Sequence, residues 1–191
     1  MVWTVVRLAA VIALVAALVP GTSAGASGVP EPLAQAAQRT PCKDSRRMGL
    51  SQRRFRRAMQ CLHNRARAAH GLKRLRGSRR LNLAAVAHAR DMARRNYLGH
   101  CSPEGTSPTD RARAKGYRGG AGENIITGSR RARPITLHRR WMDSPAHRHN
   151  ILGKQYDHLG VGIEREGGMI YGVAMFAFEA PAERVRAPSC S

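Results

Sequence analysis

The last part of the chain contains two patterns typical of β-strands, joined by a pair of glycines. The segment reads HLGVGIEREGGMIYGVAMFAFE over residues 158–179, with Gly167 and Gly168 near its centre. Adjacent glycines supply the backbone angles that a two-residue hairpin turn requires. The stretches before this segment have helical patterns, and helices followed by terminal strands are typical of α+β proteins. We therefore predict an α+β fold in which helices pack on a small, mainly antiparallel sheet.

Helical periodicity is clearest in two stretches. In the first, apolar residues recur at helical spacing until Gly71 ends the pattern; they are Phe55, Met59, Leu62, Ala66 and Ala69. The second begins after Ser78, a suitable N-cap, and extends to about Arg95. Its apolar stripe is Leu81, Ala85, Ala89 and Met92. His88 lies at the margin of this stripe, where we expect a partly buried core residue rather than a ligand.

Shorter elements are expected between these helices and the terminal strands. Helices are predicted from Pro108 to Lys115 and from Pro134 to Met142, the first of them with proline in its first turn. The pair Ser144-Pro145 predicts an N-cap and the first turn of a separate helix. The intervening segment GYRGGAGENIITG is too rich in glycine for a helix. It is expected to lead into a short strand, with Glu123 where backbone can approach closely.

The first 26 residues have the pattern of a signal peptide. Arg7 precedes an apolar run that ends at Val19, and small residues follow up to Ala26. A membrane anchor is the alternative, but the run is shorter than the roughly 20 residues that span a bilayer. We predict a protein that is secreted to the cell envelope or beyond it, is monomeric and keeps no transmembrane anchor. The predicted divisions are signal peptide 1–26, linker 27–50, one domain 51–180 and tail 181–191.

The cysteine content agrees with export. Four cysteines follow the signal peptide: Cys42, Cys61, Cys101 and Cys190. In an exported chain an even number is typical of two disulfides, for which three connectivities are possible. We expect Cys42 to pair with Cys61, which would tie the linker to the first helix, and Cys101 with Cys190 would then hold the tail against the domain. Four free thiols are the alternative, and a cysteine zinc site is disfavoured because no CxxC pair exists.

The chain is strongly basic, with 33 Lys and Arg against 12 Asp and Glu. Sixteen cations but only one carboxylate, Asp91, fall between Arg46 and Arg95. Such a surface attracts polyanions, and anionic cell-envelope polymers or lipid head groups are the expected partners. Specific nucleic-acid recognition is not expected, because Phe55 and Tyr97 are too few aromatics for a stacking platform. The alternative is that part of the arginine excess reflects base composition of the genome.

Three polar residues are candidates for a shared site. His100 follows the second helix, Glu123 is framed by glycine and apolar residues, and His147 falls in the first turn of the capped helix. His149 is about 200° further round that helix, so it is expected at the surface. The three could hold a divalent metal such as Zn²⁺, act as a general acid and base, or form a hydrogen-bonded cluster that only shapes a cavity. No HExxH or GxSxG pattern accompanies them.

Several segments resemble the CAP superfamily, also called the SCP domain, and especially its secreted bacterial branch. The segments are CLHNRARAAHGLKRL, LNLAAVAHARDMARRNYLGHCSPEGTSPTDRARAKGY, GENI, WMDSPAHRHNIL, LGVGI and YGVAMFAF. They occur in the family's order from about Ser51 to Glu179, which is nearly the whole predicted domain. The resemblance implies an α-β-α sandwich with a shallow central cavity lined by two histidines and two acids.

The resemblance also implies roles for particular residues. The first histidine falls on His100, the glutamate of the GEN motif on Glu123, and the second histidine on His147. In animal members a second glutamate stands three positions after the tryptophan; here Ser144 follows Trp141 at that position. Some members bind a divalent metal through the two histidines, which would here be His100 and His147, and others bind sterols or lipids. The resemblance favours an envelope-associated binding protein, with a metal-dependent hydrolase as the alternative.

Overall fold

The computed structural model describes residues 41–178 and Cys190. The predicted signal peptide, the linker up to residue 40 and the tail apart from Cys190 lie outside the described residues and stay predictions. The helices of the described part are α1 (Gln52–Ala68), α2 (Arg79–Arg95), α3 (Pro108–Ala114), α4 (Pro134–Asp143) and α5 (Pro145–Leu152). Its strands are β1 (Arg76–Gly77), β2 (Ala121–Ser129), β3 (His158–Glu166) and β4 (Met169–Ala177). Among these helices none is both long and apolar enough to cross a membrane.

Local signals in the sequence account for most helix ends. The Ser78 hydroxyl accepts a hydrogen bond from the Leu81 amide, as its N-cap position before α2 predicted. Asn96 ends that helix in the left-handed conformation, with a φ of 51°. Ser107 and Asp110 form a reciprocal capping box at the start of α3. The predicted bounds of the helices therefore agree with the structure to within one or two residues.

The sheet has the strand order β1-β3-β4-β2. β3 and β4 form the predicted hairpin, and both turn glycines have a positive φ, 53° at Gly167 and 79° at Gly168. β2 pairs antiparallel with the other side of β4, so that Glu123 lies opposite Met175. β1 is a two-residue strand parallel to β3, and sequence reasoning missed it. The sheet is thus mixed, with antiparallel pairing in its three long strands.

Helices cover both faces of the sheet and give an α-β-α sandwich. On one face α1, α4 and α5 pack in a core that includes Phe55, Trp141 and Phe176. On the other face α2 and α3 pack in a core that includes Met92 and Met175. Successive side chains of β4 enter opposite cores, which explains why its pattern lacks the alternation of a one-sided strand. The predicted fold class is confirmed.

Two glycines of β3 allow α2 to lie directly on the sheet. A Cβ atom at Gly160 would stand 2.3 Å from the Leu81 carbonyl carbon. At Gly162 it would stand 2.3 Å from the backbone nitrogen of Val86. Real Cβ atoms do not approach backbone so closely, so a side chain at either position would force α2 and β3 apart. The LGVGI segment therefore sets the distance between α2 and β3.

Both disulfides have the predicted pairing, with Cys42 bonded to Cys61 and Cys101 bonded to Cys190. The first joins the segment before α1 to the middle of that helix. The second fixes Cys190 beside the loop that follows α2. The described residues contain no free cysteine, so the alternative of four thiols is wrong.

One buried arginine ties α1 to the end of α5. Arg67 is 1% exposed and donates to four backbone carbonyls, those of Lys73, Ile151, Gly153 and Tyr156, at 2.7 to 3.3 Å. Carbonyls at the C-terminal end of a helix carry partial negative charge, which suits a buried cation. Burial lowers the pKa of Arg67. The side chain thus acts as a structural clamp.

A second buried polar feature is a histidine pair between α1 and α4. His63 Nδ1 lies 3.0 Å from His138 Nδ1. His63 is fully buried, stacks on Phe176 and meets the edge of Trp141. Because the two imidazoles share one hydrogen bond, one ring must donate and the other accept, which requires the accepting ring to be neutral. Burial lowers the pKa of both histidines, that of His138 to about 4.

Candidate functional site

Glu123 is the centre of the candidate site. It lies on β2, and its side chain is 1% exposed. One carboxylate oxygen, Oε2, accepts from Arg111 Nη2 at 2.8 Å. The other, Oε1, is 3.0 Å from His100 Nδ1. A buried carboxylate needs such partners, and the Arg111 ion pair supplies charge compensation inside the domain.

The contact with Glu123 fixes the tautomer of the neutral His100 imidazole. A carboxylate oxygen only accepts hydrogen bonds, so the contact assigns the proton of the neutral imidazole to Nδ1. The lone pair is then on Nε2, away from Glu123. The His100 side chain is 51% exposed. The ring is therefore oriented by a buried group while it presents an acceptor nitrogen to solvent.

Arg111 also fixes the loop that carries His100. Its guanidinium donates to the backbone oxygen of His100 at 2.8 Å and to that of Thr106 at 2.7 Å. One arginine therefore holds both the carboxylate and the main chain on which the histidine stands. Arg111 itself belongs to α3, which begins at the Ser107 capping box.

His147 joins the site from α5. Burial, followed by the charge of nearby His100, lowers the pKa of His147. Asn124 is fully buried, and its Nδ2 donates to the His147 backbone oxygen at 2.9 Å. Asn150 Nδ2 donates to the backbone oxygen of Glu123 at 3.1 Å and to Asn124 Oδ1 at 2.9 Å. Two asparagines thus fasten α5 to the strand that carries Glu123.

The other residues singled out in the sequence around α5 are His149, Trp141 and Ser144. His149 is exposed, as predicted from its position two residues after His147. Trp141 is buried in the core and donates from Nε1 to the Ile125 oxygen at 3.1 Å. Ser144 stands at the N-cap position of α5 with extended backbone but makes no side-chain cap hydrogen bond. The capping role predicted for the Ser144 hydroxyl is therefore wrong, although the helix begins where expected.

Sequence reasoning missed two neighbours of Glu123. One is Arg111, since nothing in the sequence distinguishes it from the many surface arginines. The other is His88, which is 1% exposed, with Nε2 3.8 Å from Glu123 Oε1 and 2.9 Å from the Gly99 oxygen. Its Nδ1 is buried without a hydrogen-bond partner among the described residues. His88 is fully rather than partly buried, and burial lowers its pKa.

The side chains that could hold a metal here are the imidazoles of His100 and His147. His100 Nε2 is not used in the contact with Glu123, whereas both Glu123 oxygens already accept hydrogen bonds. Within residues 41–178 and Cys190, no three His, Cys, Asp or Glu side chains are placed to hold one metal ion. Catalytic zinc sites ordinarily have three protein ligands. A metal at the histidine pair would therefore depend on water for its remaining ligands.

The fold places the chain among SCP-domain proteins. It superposes on an extracellular protein containing an SCP domain from Bacillus anthracis with a TM-score of 0.60 and 26% identity, over 67% of this chain and 41% of that chain. An outer surface protein from Borrelia burgdorferi shares the fold, with a TM-score of 0.59 and 17% identity over 64% of this chain and 90% of that chain.

The family follows from the sequence as well. The model of the cysteine-rich secretory protein (CAP) family matches residues 61–178, and the chain belongs to this family. The Bacillus subtilis protein YkwD is 38% identical over 110 residues, which are 56% of this chain and 42% of YkwD. The B. subtilis membrane protein YlbC is 35% identical over 111 residues, 55% of this chain and 30% of YlbC. The chain thus matches less than half of each of these relatives.

Proposed function

We propose that this chain is an exported binding module. Its His100 and His147 imidazoles bind a divalent metal such as Zn²⁺, or a small ligand that contacts the same nitrogens. The observation that carries this proposal is the contact between Glu123 and His100 Nδ1, 3.0 Å long. A carboxylate behind a metal-binding histidine fixes its tautomer, orients the ring and raises its basicity. Glu123 would thus support the ligand His100 without touching the metal.

The state of the second imidazole also suits this role. Metal ligation requires a neutral imidazole, and the lowered pKa of His147 favours its neutral form at physiological pH. The hydrogen bonds from Asn124 and Asn150 hold the backbone of α5 at His147 against the strand that carries Glu123. A bound divalent metal would supply a Lewis-acidic centre at the mouth of the site.

A metal-dependent hydrolase with Glu123 as general base is the second candidate for the same site. A general base must reach a substrate or an attacking water. Glu123 is buried, and both its oxygens already accept from Arg111 and His100, which favours the binding role. The hydrolase would require turnover on peptide, ester or cell-wall substrates that chelation or Glu123→Gln abolishes.

Export and attachment to the envelope complete the proposal. Two disulfides suit an oxidising compartment, and the excess of arginine suits an anionic surface. Nonspecific binding of nucleic acid would follow from the same charge. Specific readout of nucleic acid lacks support, since the described elements include no helix or ribbon with a recognisable readout motif.

Isothermal titration with Zn²⁺ tests the metal part of the proposal. The samples are the untagged exported chain, the variant His100→Ala with His147→Ala, and the control His149→Ala, which removes an exposed histidine of the same helix. We expect stoichiometric binding in the exported chain and the control, and none in the double variant. Equal binding in all three samples, or negligible binding in the exported chain, would refute the metal site.

A further inference from the structure

A concave, basic groove lies where the segment before α1 folds back on that helix. It has a volume of 340 Å³ and is lined by Lys43, Asp44, Arg53, Arg54, Arg57 and Cys61. The disulfide of Cys61 with Cys42 holds the two sides of the groove together, with a Cα separation of 5.7 Å. The groove therefore has covalently fixed walls, and we call it the α1 groove.

The only carboxylate of the α1 groove is committed to one of its arginines. Asp44 accepts from Arg54 Nε at 2.9 Å and from Arg54 Nη2 at 2.7 Å. Hydrogen bonding to Arg54 lowers the pKa of Asp44, which keeps the carboxylate ionised. Asp44 and Arg54 thus largely neutralise each other's charge. The ion pair joins the segment before α1 to that helix and adds little attraction for an anion.

The other cations of the α1 groove are not neutralised in the same way. Arg53 and Arg57 are exposed one turn apart on α1, and among the described residues no carboxylate forms an ion pair with either of them. Lys43 is exposed on the opposite wall. Two further exposed arginines, Arg46 and Arg47, continue the basic surface along the loop, although Arg47 also lies 3.9 Å from Asp44. The α1 groove therefore carries positive charge beyond what Asp44 compensates.

We propose that the α1 groove binds a linear anionic polymer whose repeating charges are phosphodiesters. Side chains at positions i and i+4 of a helix stand about 5 to 6 Å apart, so Arg53 and Arg57 can contact successive charges of an extended chain. Guanidinium groups match the oxygens of a phosphate better than an ammonium group does. A concave wall fits a strand of polymer, whereas a membrane presents a flat surface. This inference names the partner for the envelope attachment proposed above and does not involve the histidine site.

A matched pair of triple variants tests the α1 groove. The groove variant is Lys43→Gln with Arg53→Gln and Arg57→Gln. The control is Lys115→Gln with Arg131→Gln and Arg133→Gln, which removes the same charge from positions outside the groove. The probe is synthetic poly(glycerol phosphate), titrated over a range of salt concentrations. The plot of log K against log salt concentration has a negative slope, and each lost phosphate contact reduces the magnitude of that slope by about 1. We therefore expect a magnitude smaller by roughly 2 to 3 in the groove variant only.

Three results would overturn the inference. Equal losses of polymer binding in both variants would mean that the net charge of the chain, and not the groove, attracts the polymer. Absence of binding to poly(glycerol phosphate) would contradict a phosphodiester polymer as the partner. Tighter binding to phosphatidylglycerol vesicles, with the same dependence on the groove residues, would assign the groove to a membrane instead. Zinc titration of the groove variant is expected to match that of the unaltered chain. A failure of polymer binding is therefore distinguishable from a failure of the proposed histidine site.

Discussion

Replacing His138 by glutamine is expected to remove part of the acid sensitivity of the fold. In the native chain His138 shares a hydrogen bond with buried His63, and the nearby cations are Arg65 and Arg67. Burial, followed by the charge of Arg65, lowers the pKa of His138 to about 4. In the unfolded chain the histidine has its ordinary value of about 6.5. Between these values the unfolded state binds more protons than the folded state.

The sign and size of the effect follow from this difference. Stability is complete above the unfolded pKa and falls as the pH drops from about 6.5 towards 4. For a shift from 6.5 to about 4, the free energy of unfolding decreases by about 2 kcal/mol between pH 7.5 and pH 5 from His138 alone. His63 acts in the same direction, because its pKa is also lowered. Glutamine does not titrate, and its amide can still form a hydrogen bond with His63.

Urea unfolding at a series of pH values measures this contribution, with Trp141 fluorescence and circular dichroism as signals. The native chain should lose about 2 kcal/mol more than His138→Gln between pH 7.5 and pH 5. The control His149→Gln, at an exposed position, should follow the native chain. If His138→Gln keeps the full pH dependence of the native chain, the reasoning about the buried pair is wrong.

Three further predictions concern stability. Arg111→Met removes the cation that pairs with the buried Glu123 carboxylate, so urea unfolding should show a loss of about 3 to 5 kcal/mol; an unchanged midpoint would contradict the ion pair. Gly160→Ala places a Cβ against the backbone of α2, and a loss of at least about 2 kcal/mol is expected in the same assay; full stability would show that the helix can move away. Replacing Cys101 and Cys190 by serine reopens a loop of 89 residues and should cost about 4 to 5 kcal/mol in the chain-entropy model; a melting temperature equal to that of the native chain would contradict it.

Local patterns in the sequence predict the elements that depend on local chemistry. The stripes of α1 and α2, the Ser78 cap and the Gly167-Gly168 turn are each specified within a few residues. The disulfide pairing could also be predicted, because a bond from Cys42 to Cys61 ties the linker to the first helix and leaves the tail cysteine for Cys101. β1 could not, since the exposed pair Arg76-Gly77 becomes a strand only through its partner β3. The Ser144 hydroxyl was expected to cap α5, but only the following proline specifies that start.

In the candidate site, too, some residues could be predicted from the sequence and others could not. His100, Glu123 and His147 could be selected because carboxylates are scarce in this basic chain and the motifs around the three residues resemble a known family. Arg111 could not be selected, because its guanidinium is one of many until the fold brings α3 against β2. His88 looked like a core residue, and only packing places it beside the Glu123 carboxylate. The partners of a buried charge depend on contacts between distant segments, which short sequence patterns do not record.

A nitrogen NMR spectrum of the imidazole rings, before and after addition of Zn²⁺, tests the proposed site most directly. The signals of His100 and His147 can be assigned from the single variants His100→Gln and His147→Gln. The account predicts that neutral His100 carries its proton on Nδ1, and that zinc shifts the Nε2 signal of His100 together with one nitrogen signal of His147. A proton on Nε2 of His100, or ring signals that zinc leaves unchanged, would contradict the account.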